Sequence, residues 1–182
     1  MPRDDWLVGG DRRAIAAERI YAAAADLIAK EGVDALDIDR LTARVHCSRA
    51  TIYRYAGGKA EIRDAVLARA AAGIVDAVRS AVQGMSGAER VVTAITLALK
   101  RIRSDPLIHP TIVSMRGVDE TVWLTGSPLL AAFASDLAGL ADADPQAAQW
   151  VVRVVLSLLY WPAGDHDAER QLVQRFVAPA FG

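Results

Sequence analysis

The sequence predicts an all-α fold of about nine helices, and three observations favour it. Apolar residues recur at spacings of three and four along most of the 182 residues, which is the period of a helix with one buried face. Alanine, the strongest helix former, is abundant throughout. No segment shows the alternation typical of a strand, and no internal repeat or low-complexity linker interrupts the pattern.

The first helix is predicted over residues 11–31. Ile20, Leu27 and Ile28 follow helical spacing, and Gly32 supplies the stop. The preceding ten residues have no apolar run and are predicted to form a loose arm.

Two short helices joined by a tight turn follow in the stretch Asp37–Lys59. Asp37 can N-cap the first of them, predicted over Ile38–Val45, and Ser48 can N-cap the second, predicted over Arg49–Tyr55. Each helix carries a pair of apolar residues four positions apart, which gives it one inward face.

The remaining helices are placed between capping residues and Gly or Pro breaks. The predicted segments are Lys59 to about Gln83, Ala88–Ser104, 109–116, Val118–Leu124, Leu129–Leu140, Pro145–Trp161 and Asp165–Phe176.

Cationic side chains crowd the two short helices. The chain as a whole has a net charge of −1, so any attraction for nucleic acid must come from a local patch. No acidic residue lies between Asp39 and Glu61, and cations on a helix-turn-helix scaffold are typical of contact with DNA phosphates. The alternative is that they only solvate the outer faces. The residues are Arg40, Arg44, Arg49, Arg54 and Lys59.

This part of the chain resembles the tetracycline-repressor (TetR) family of bacterial regulators. The resemblance covers residues 11 to 69 in detail. It implies a helix-turn-helix DNA-binding domain over residues 11–58 and a helical ligand-binding and dimerisation domain over residues 59–182. The matching residues are Ala24 to Gly32, Leu41-Thr42, His46-Cys47-Ser48 and Ile52-Tyr53-Arg54-Tyr55-Ala56-Gly57-Gly58-Lys59.

Three positions depart from the family pattern. His46 stands where the family has the Gly of the turn, so either His46 accepts a left-handed conformation or the turn differs. Ala56 replaces a core Phe, which removes a large anchor from under the second short helix. Gly58 replaces a better N-cap of the following helix.

The helix that follows Ser48 is expected to enter the major groove, with its N-terminal residues nearest the base edges. Arg49 can pair bidentately with guanine, and Arg54 is either a second base reader or a phosphate clamp. The resemblance implies that Tyr53, Tyr55 and Lys59 hold phosphates. The alternative for the two tyrosines is that their rings pack against the first helix. The predicted DNA-binding set is Arg40, Arg44, Ser48, Arg49, Ala50, Thr51, Tyr53, Arg54, Tyr55 and Lys59.

The segment 145–161 is apolar on nearly all sides, which predicts a helix that is covered all round. Its own domain covers one side, and a second copy is expected to cover the other, as the family arrangement implies. A wholly intrachain core is the rival. The predicted interface residues are Val151, Val155, Leu158, Leu159, Leu172 and Phe176.

The resemblance also implies a small-molecule pocket in the second domain. An apolar or amphipathic effector is expected, because the sequence there has no dense charged cluster. Ordinary core packing of the aromatic residues is the alternative. The predicted lining is Met115, Trp123, Phe133, Trp150 and Trp161.

Other classes of function find no support in the sequence. The single cysteine, Cys47, excludes an intrachain disulfide and fits a reducing cytoplasm. The sequence shows no secretory signal and no run long enough to span a membrane. The three histidines lack metal-ligand spacing, no catalytic motif is present, and no cofactor is implied.

The sequence therefore predicts a dimeric, ligand-responsive regulator that represses a neighbouring gene. A small molecule is expected to release this repressor from a palindromic operator. The alternative is a helical dimer that binds a small molecule or a protein and retains a weakened DNA-binding domain.

Overall fold

The computed structural model describes residues 5–114, 128–140 and 144–181. Within these residues the chain forms nine α-helices, two short 3-10 helices at Val33–Ala35 and Ala178–Phe181, and no strand, so the all-α prediction is confirmed. The segment 118–124, predicted as a helix, lies outside the described residues. The α-helices are α1 Asp5–Glu31, α2 Ile38–Val45, α3 Arg49–Ala56, α4 Lys59–Ala81, α5 Gly87–Ser104, α6 Ile108–Ser114, α7 Pro128–Ala138, α8 Pro145–Tyr160 and α9 His166–Phe176.

The chain divides into two compact units, Met1–Ala70 and Ala71–Gly182. The division lies inside α4, whereas the domain boundary predicted from the sequence lies in front of that helix. The first half of α4 belongs to the N-terminal unit because Ile62 and Val66 are buried there.

The N-terminal unit is built by α1, α2, α3 and the start of α4 around one apolar core. The Asp37 carboxylate accepts hydrogen bonds from the backbone N–H groups of Asp39 and Arg40 at 2.8 and 3.3 Å, so α2 begins where the sequence predicts. Ala56 is buried at the end of α3. The buried core side chains include Ile20, Leu27, Leu36, Leu41, Ile52 and Ile62.

The C-terminal unit packs α5, α8 and α9 around its main core. Asp144 caps α8 by accepting hydrogen bonds from the backbone N–H groups of Gln146 and Ala147, and Pro145 opens the helix. A smaller cluster joins the second half of α4 to α5 through Val78, Val82 and Ala94. The main core includes Val91, Ile95, Leu99, Val151, Leu158, Leu159 and Val173.

One ion pair lies inside this core and was not predicted from the sequence. Glu169 of α9 is 1 % exposed, and its carboxylate accepts hydrogen bonds from Nη1 and Nη2 of Arg103 at 2.6 and 2.7 Å. It also accepts the backbone N–H of Ala163 at 3.3 Å. Arg103 Nη2 donates in addition to the Leu158 carbonyl at 2.7 Å. The pair therefore joins α5, α8 and α9 at one point.

Candidate functional site

The N-terminus of α3 is fixed by Ser48. The Ser48 hydroxyl oxygen accepts the backbone N–H of Thr51 at 3.2 Å and lies 2.9 Å from the Thr51 hydroxyl oxygen. The side chain of Thr51 is therefore engaged with the cap, and it is half-buried. The outward surface of α3 is formed by Arg49, Ala50, Tyr53 and Arg54, which are exposed.

Two cations of the predicted site remain available at the end of α3. Arg54 and Lys59 are exposed, and neither forms an ion pair with another residue in the described part of the chain. The Arg54 guanidinium carbon lies 5.5 Å from the centroid of the Tyr55 ring. Tyr55 is half-buried, whereas Tyr53 is 57 % exposed. Tyr53, Arg54 and Lys59 are thus the exposed side chains among the predicted phosphate contacts at this end.

Arg40 and Arg44, which the sequence predicted to contact DNA, both form ion pairs with residues of α1. Arg40 Nη2 lies 2.5 Å from Glu31 Oε1, and Arg44 Nη1 lies 2.6 Å from Asp26 Oδ2. Hydrogen bonds from Lys30 and Arg44 hold the pKa of Asp26 below its ordinary value. These ion pairs join α2 to α1 and partly cancel the charges of Arg40 and Arg44.

Arg49 also has an acidic partner. Its Nε and Nη2 groups donate to the two carboxylate oxygens of Asp39, and both side chains are more than half exposed. The gap in acidic residues between Asp39 and Glu61 therefore overstated the local positive charge. The carboxylates belong to Asp26, Glu31 and Asp39, which precede that gap in the sequence. The sequence alone does not show that they lie beside these arginines.

His46 keeps the left-handed conformation that the turn between α2 and α3 requires. Its φ and ψ are 53° and 50°, and its backbone N–H closes α2 on the Thr42 carbonyl. It is the one non-glycine residue with positive φ among the described residues. The sequence left open whether His46 is left-handed or the turn differs from the family pattern. In the structure His46 is left-handed.

We expect His46→Gly to stabilise the N-terminal unit by about 0.5–1 kcal/mol. A left-handed L-residue costs about 1–2 kcal/mol, and the entropy that glycine adds to the unfolded chain offsets about 0.4–1 kcal/mol of the gain. The His46 side chain is exposed, so little packing is lost. Urea unfolding measures the change. His46→Ala is the control and should bring no gain, because alanine keeps the Cβ; a gain as large as that of glycine would contradict the explanation.

The predicted interface residues divide into two groups. Val151, Leu158 and Leu159 are buried in the core of the C-terminal unit, and Val155 is half-buried against it, because α5 and α7 both pack on α8. The sequence pattern did not show that the chain itself covers these residues. Leu172 is 36 % exposed and Phe176 is 65 % exposed, so of the six predicted interface residues only these two, both on α9, are exposed.

The structure describes three of the five predicted pocket residues. Trp161 is 74 % exposed and therefore lines no interior site. Trp150 stacks on the ring of Phe181 at a centroid distance of 5.9 Å. Phe133 on α7 is half-buried. Met115 and Trp123 lie outside the described residues.

Two further absences hold for the described residues. No group of three His, Cys, Asp or Glu side chains there is arranged to hold a metal ion. No helix of residues 5–114, 128–140 and 144–181 is long and apolar enough to cross a membrane.

Comparison with known sequences assigns the N-terminal unit to a family. The profile described as "Bacterial regulatory proteins, tetR family" matches residues 20–66, from the middle of α1 to the first half of α4. An HTH-type transcriptional regulator of Mycobacterium tuberculosis, found in strains CDC 1551 / Oshkosh and H37Rv, is 30% identical over 185 residues. The alignment covers 98% of this chain and 91% of that protein.

Comparison with solved structures supports the fold. The TetR family repressor AlkX from Dietzia sp. strain DQ12-45-1b, implicated in biodegradation of n-alkanes, has a TM-score of 0.59 at 18% identity over 89% of this chain and 92% of that one. A TetR-like transcriptional regulator from Rhodococcus sp. RHA1 has a TM-score of 0.56 at 18% identity over 96% and 94%. The fatty acid degradation regulator FadR from Bacillus halodurans has a TM-score of 0.55 at 17% identity over 88% and 98%.

These relatives are transcriptional regulators and not enzymes, in agreement with the prediction that the chain has no catalytic role. Because the relative with 30% identity spans nearly the whole chain and the family profile covers the capped helix-turn-helix, the chain belongs to the tetR family of bacterial transcriptional regulators.

Proposed function

We propose that the protein is a dimeric repressor that binds a palindromic operator and leaves it when a small apolar or amphipathic molecule binds the C-terminal unit. The observation that carries the DNA-binding part is the exposed surface of α3. Arg49, Ala50 and Tyr53 point outward from a helix whose first turn Ser48 fixes. A helix that presents its N-terminal side chains in this way fits the major groove.

Tyr53, Arg54 and Lys59 are proposed to hold phosphates on either side of that contact. All three are exposed, and side chains of these types fix the register of a protein on the duplex without reading its sequence. Arg40 and Arg44 are left out of the proposed contact set because they are paired with Glu31 and Asp26 on α1 and are less exposed than Arg49. Ser48 caps α3, and Thr51 and Tyr55 are half-buried.

The dimer is proposed to form through the exposed apolar side chains of the C-terminal unit. Trp161, Leu172 and Phe176 expose large apolar surfaces near the ends of α8 and α9, and surfaces of this kind commonly mark contacts between subunits. A two-fold axis would use the same side chains from both copies. Two copies of α3 about 34 Å apart would then read the two halves of a symmetric site.

The effector is proposed to be a molecule with a long apolar part. AlkX is implicated in biodegradation of n-alkanes, and FadR is a fatty acid degradation regulator; both share the fold of this chain. Any effector that lowers DNA affinity must itself bind less tightly to the DNA complex by the same factor. A panel of n-alkanes and long-chain fatty acids, added to the protein on labelled operator, would reveal release as a fall in fluorescence anisotropy.

Arg49→Ala combined with Tyr53→Phe is expected to weaken operator binding by roughly 30- to 1,000-fold. A bidentate arginine–guanine pair contributes about 1–3 kcal/mol of discrimination, and a hydroxyl–phosphate hydrogen bond adds about 1 kcal/mol. Fluorescence anisotropy on a duplex from the promoter beside the protein's own gene measures the change. Arg101→Ala, which removes an exposed cation from α5, is the control and should bind like the wild type. Unchanged binding by the double variant would contradict the assignment of the site.

One observation favours a second function, a helical dimeric binding module with a weakened DNA-binding domain. Arg40, Arg44 and Arg49 are all paired with carboxylates of the same unit, which lowers the local positive charge. Genome-wide footprinting separates the two functions. Discrete sites with two-fold symmetry support the repressor, whereas a folded dimer that occupies no site supports the module.

A further inference from the structure

The ion pair between Asp39 and Arg49 uses only one edge of the guanidinium. The bonds to the carboxylate come from Nε and Nη2, which form the side-on edge of the planar group. An arginine carries five N–H donors in a fixed plane, so three remain, and two of these form the end-on edge made by Nη1 and Nη2. That edge matches the O6 and N7 acceptors of guanine, which are read bidentately in the major groove.

Both partners are held by capped helix ends. The backbone N–H of Asp39 donates to Asp37 at 2.8 Å, and its carbonyl accepts the Thr42 hydroxyl at 2.7 Å. Arg49 is the first residue of α3, directly after the Ser48 cap. The side chains remain 57 % and 65 % exposed. The pair is thus anchored at its backbone and open at the surface that would face DNA.

We propose that Asp39 is a specificity-determining residue of the α3 surface: it positions Arg49 for end-on contact with a guanine and opposes contact of the same arginine with phosphate. The inference rests on the DNA-binding function proposed above. It assigns to an acidic residue of α2 a part in base recognition, although Asp39 touches no base itself and acts through Arg49.

The carboxylate affects the two kinds of DNA contact differently. In a guanine contact, Arg49 can keep its partner, because O6 and N7 take the other edge of the guanidinium. In a phosphate contact, the partner's negative charge is brought towards the backbone, and a neutralised arginine releases no counterion. Binding without sequence preference depends on phosphate neutralisation, so Asp39 weakens it more than it weakens specific binding.

A purely structural role for the pair predicts a different result. Exposed ion pairs contribute little to stability, so loss of Asp39 should leave the fold nearly unchanged. If Asp39 only supported α2, its replacement would lower binding to every DNA sequence. The proposal requires the opposite sign on random DNA, and this difference of sign separates the two roles.

The test begins with wild-type protein and a pool of random duplexes, from which repeated rounds of selection give a preferred sequence. Binding of wild type and Asp39→Asn is then measured on the selected duplex and on a scrambled duplex between 50 and roughly 200 mM salt. We expect Asp39→Asn to bind the scrambled duplex more tightly, with a steeper salt dependence by about 0.9 in the logarithmic slope, the value for one more phosphate contact.

The ratio of selected to scrambled affinity is expected to fall about tenfold, within the roughly 5- to 150-fold discrimination that one bidentate pair supplies. Selection with Asp39→Asn should also lose the preference for guanine at one position of each half-site. In protein that already carries Arg49→Ala, Asp39→Asn should change neither the affinity ratio nor the guanine preference, because Asp39 acts through Arg49.

Asp64→Asn is the matched control. Asp64 pairs with Arg63 on α4 of the same unit, so this substitution also removes one negative charge and frees one arginine, but outside α2 and α3. It should keep the wild-type ratio. An unchanged ratio for Asp39→Asn, or a loss of binding to both duplexes, would overturn the role of Asp39 while leaving the DNA-binding function in place. If the wild type enriched no sequence and bound no duplex, the proposed function would fall, and this inference with it.

Discussion

Replacement of Glu169 by glutamine is expected to destabilise the C-terminal unit by about 3 kcal/mol. The wild-type carboxylate is almost fully buried and accepts three hydrogen bonds, two from Arg103 and one from the backbone of Ala163. A glutamine of the same size carries no charge and turns an N–H group towards these donors. Loss of one partner of a buried pair costs about 3–5 kcal/mol, since the other charge stays without compensation. Arg103 is 28% exposed, which favours the lower end of this range.

Urea unfolding followed by circular dichroism measures this loss. Asp136→Asn is the matched control, because Asp136 forms an ion pair with Arg79 in the same unit at 2.9 Å, with both side chains about half exposed. Exposed pairs contribute about 0–1 kcal/mol, so this variant should unfold close to the wild type. Equal effects of the two substitutions would show that burial does not distinguish the two pairs.

The same pair gives a pH dependence with a definite sign. Hydrogen bonds from Arg103 lower the pKa of Glu169 below its ordinary value of 4.5, although burial opposes them. The lowered pKa stabilises the folded state above pH 4.5, and this contribution is lost as the pH falls through the folded-state pKa. The difference in unfolding free energy between wild type and Glu169→Gln should therefore be constant near neutral pH and shrink in acid. A difference that grew in acid would contradict this sign.

Local features of the fold were predictable because their causes lie within a few residues. Asp37, Ser48 and Asp144 each accept backbone N–H groups two or three positions ahead, so the helix starts could be found from residue type and spacing alone. At His46 the sequence left two possibilities, a left-handed residue or a different turn, and the structure has the left-handed residue. A turn of this length leaves few backbone conformations, and the choice of residue only sets their cost.

Partners across the fold could not be predicted in this way. Arg44 meets Asp26, 18 residues earlier, and Arg103 meets Glu169, 66 residues later. Nothing in the periodicity of either helix selects these partners from the other acidic residues. The apolar pattern of α8 likewise did not identify which elements pack on it. It predicted a helix covered on all sides, and other helices of the same chain cover Val151, Leu158 and Leu159. Which residues stay open for a second copy is decided only by the packing of the unit.

Leu172→Glu combined with Phe176→Glu is expected to convert a dimer into monomers at micromolar concentration. Both side chains are exposed on α9, so the charges are tolerated within one chain. In a symmetric interface each substitution occurs twice, and four carboxylates would be buried against apolar surface without partners, at several kcal/mol.

Light scattering coupled to gel filtration should give twice the 19.5 kDa chain mass for the wild type and a single chain mass for the variant. Ile15→Glu is the control. Ile15 is a large apolar residue, 56% exposed on α1 of the other unit, and this variant should remain a dimer. Separated subunits would each hold one half-site without the help of the other, so operator affinity should fall by at least about 100-fold, the usual gain from linking two binding sites. A variant that stayed dimeric, or a wild type that was already a single chain, would rule out this surface as the dimer contact.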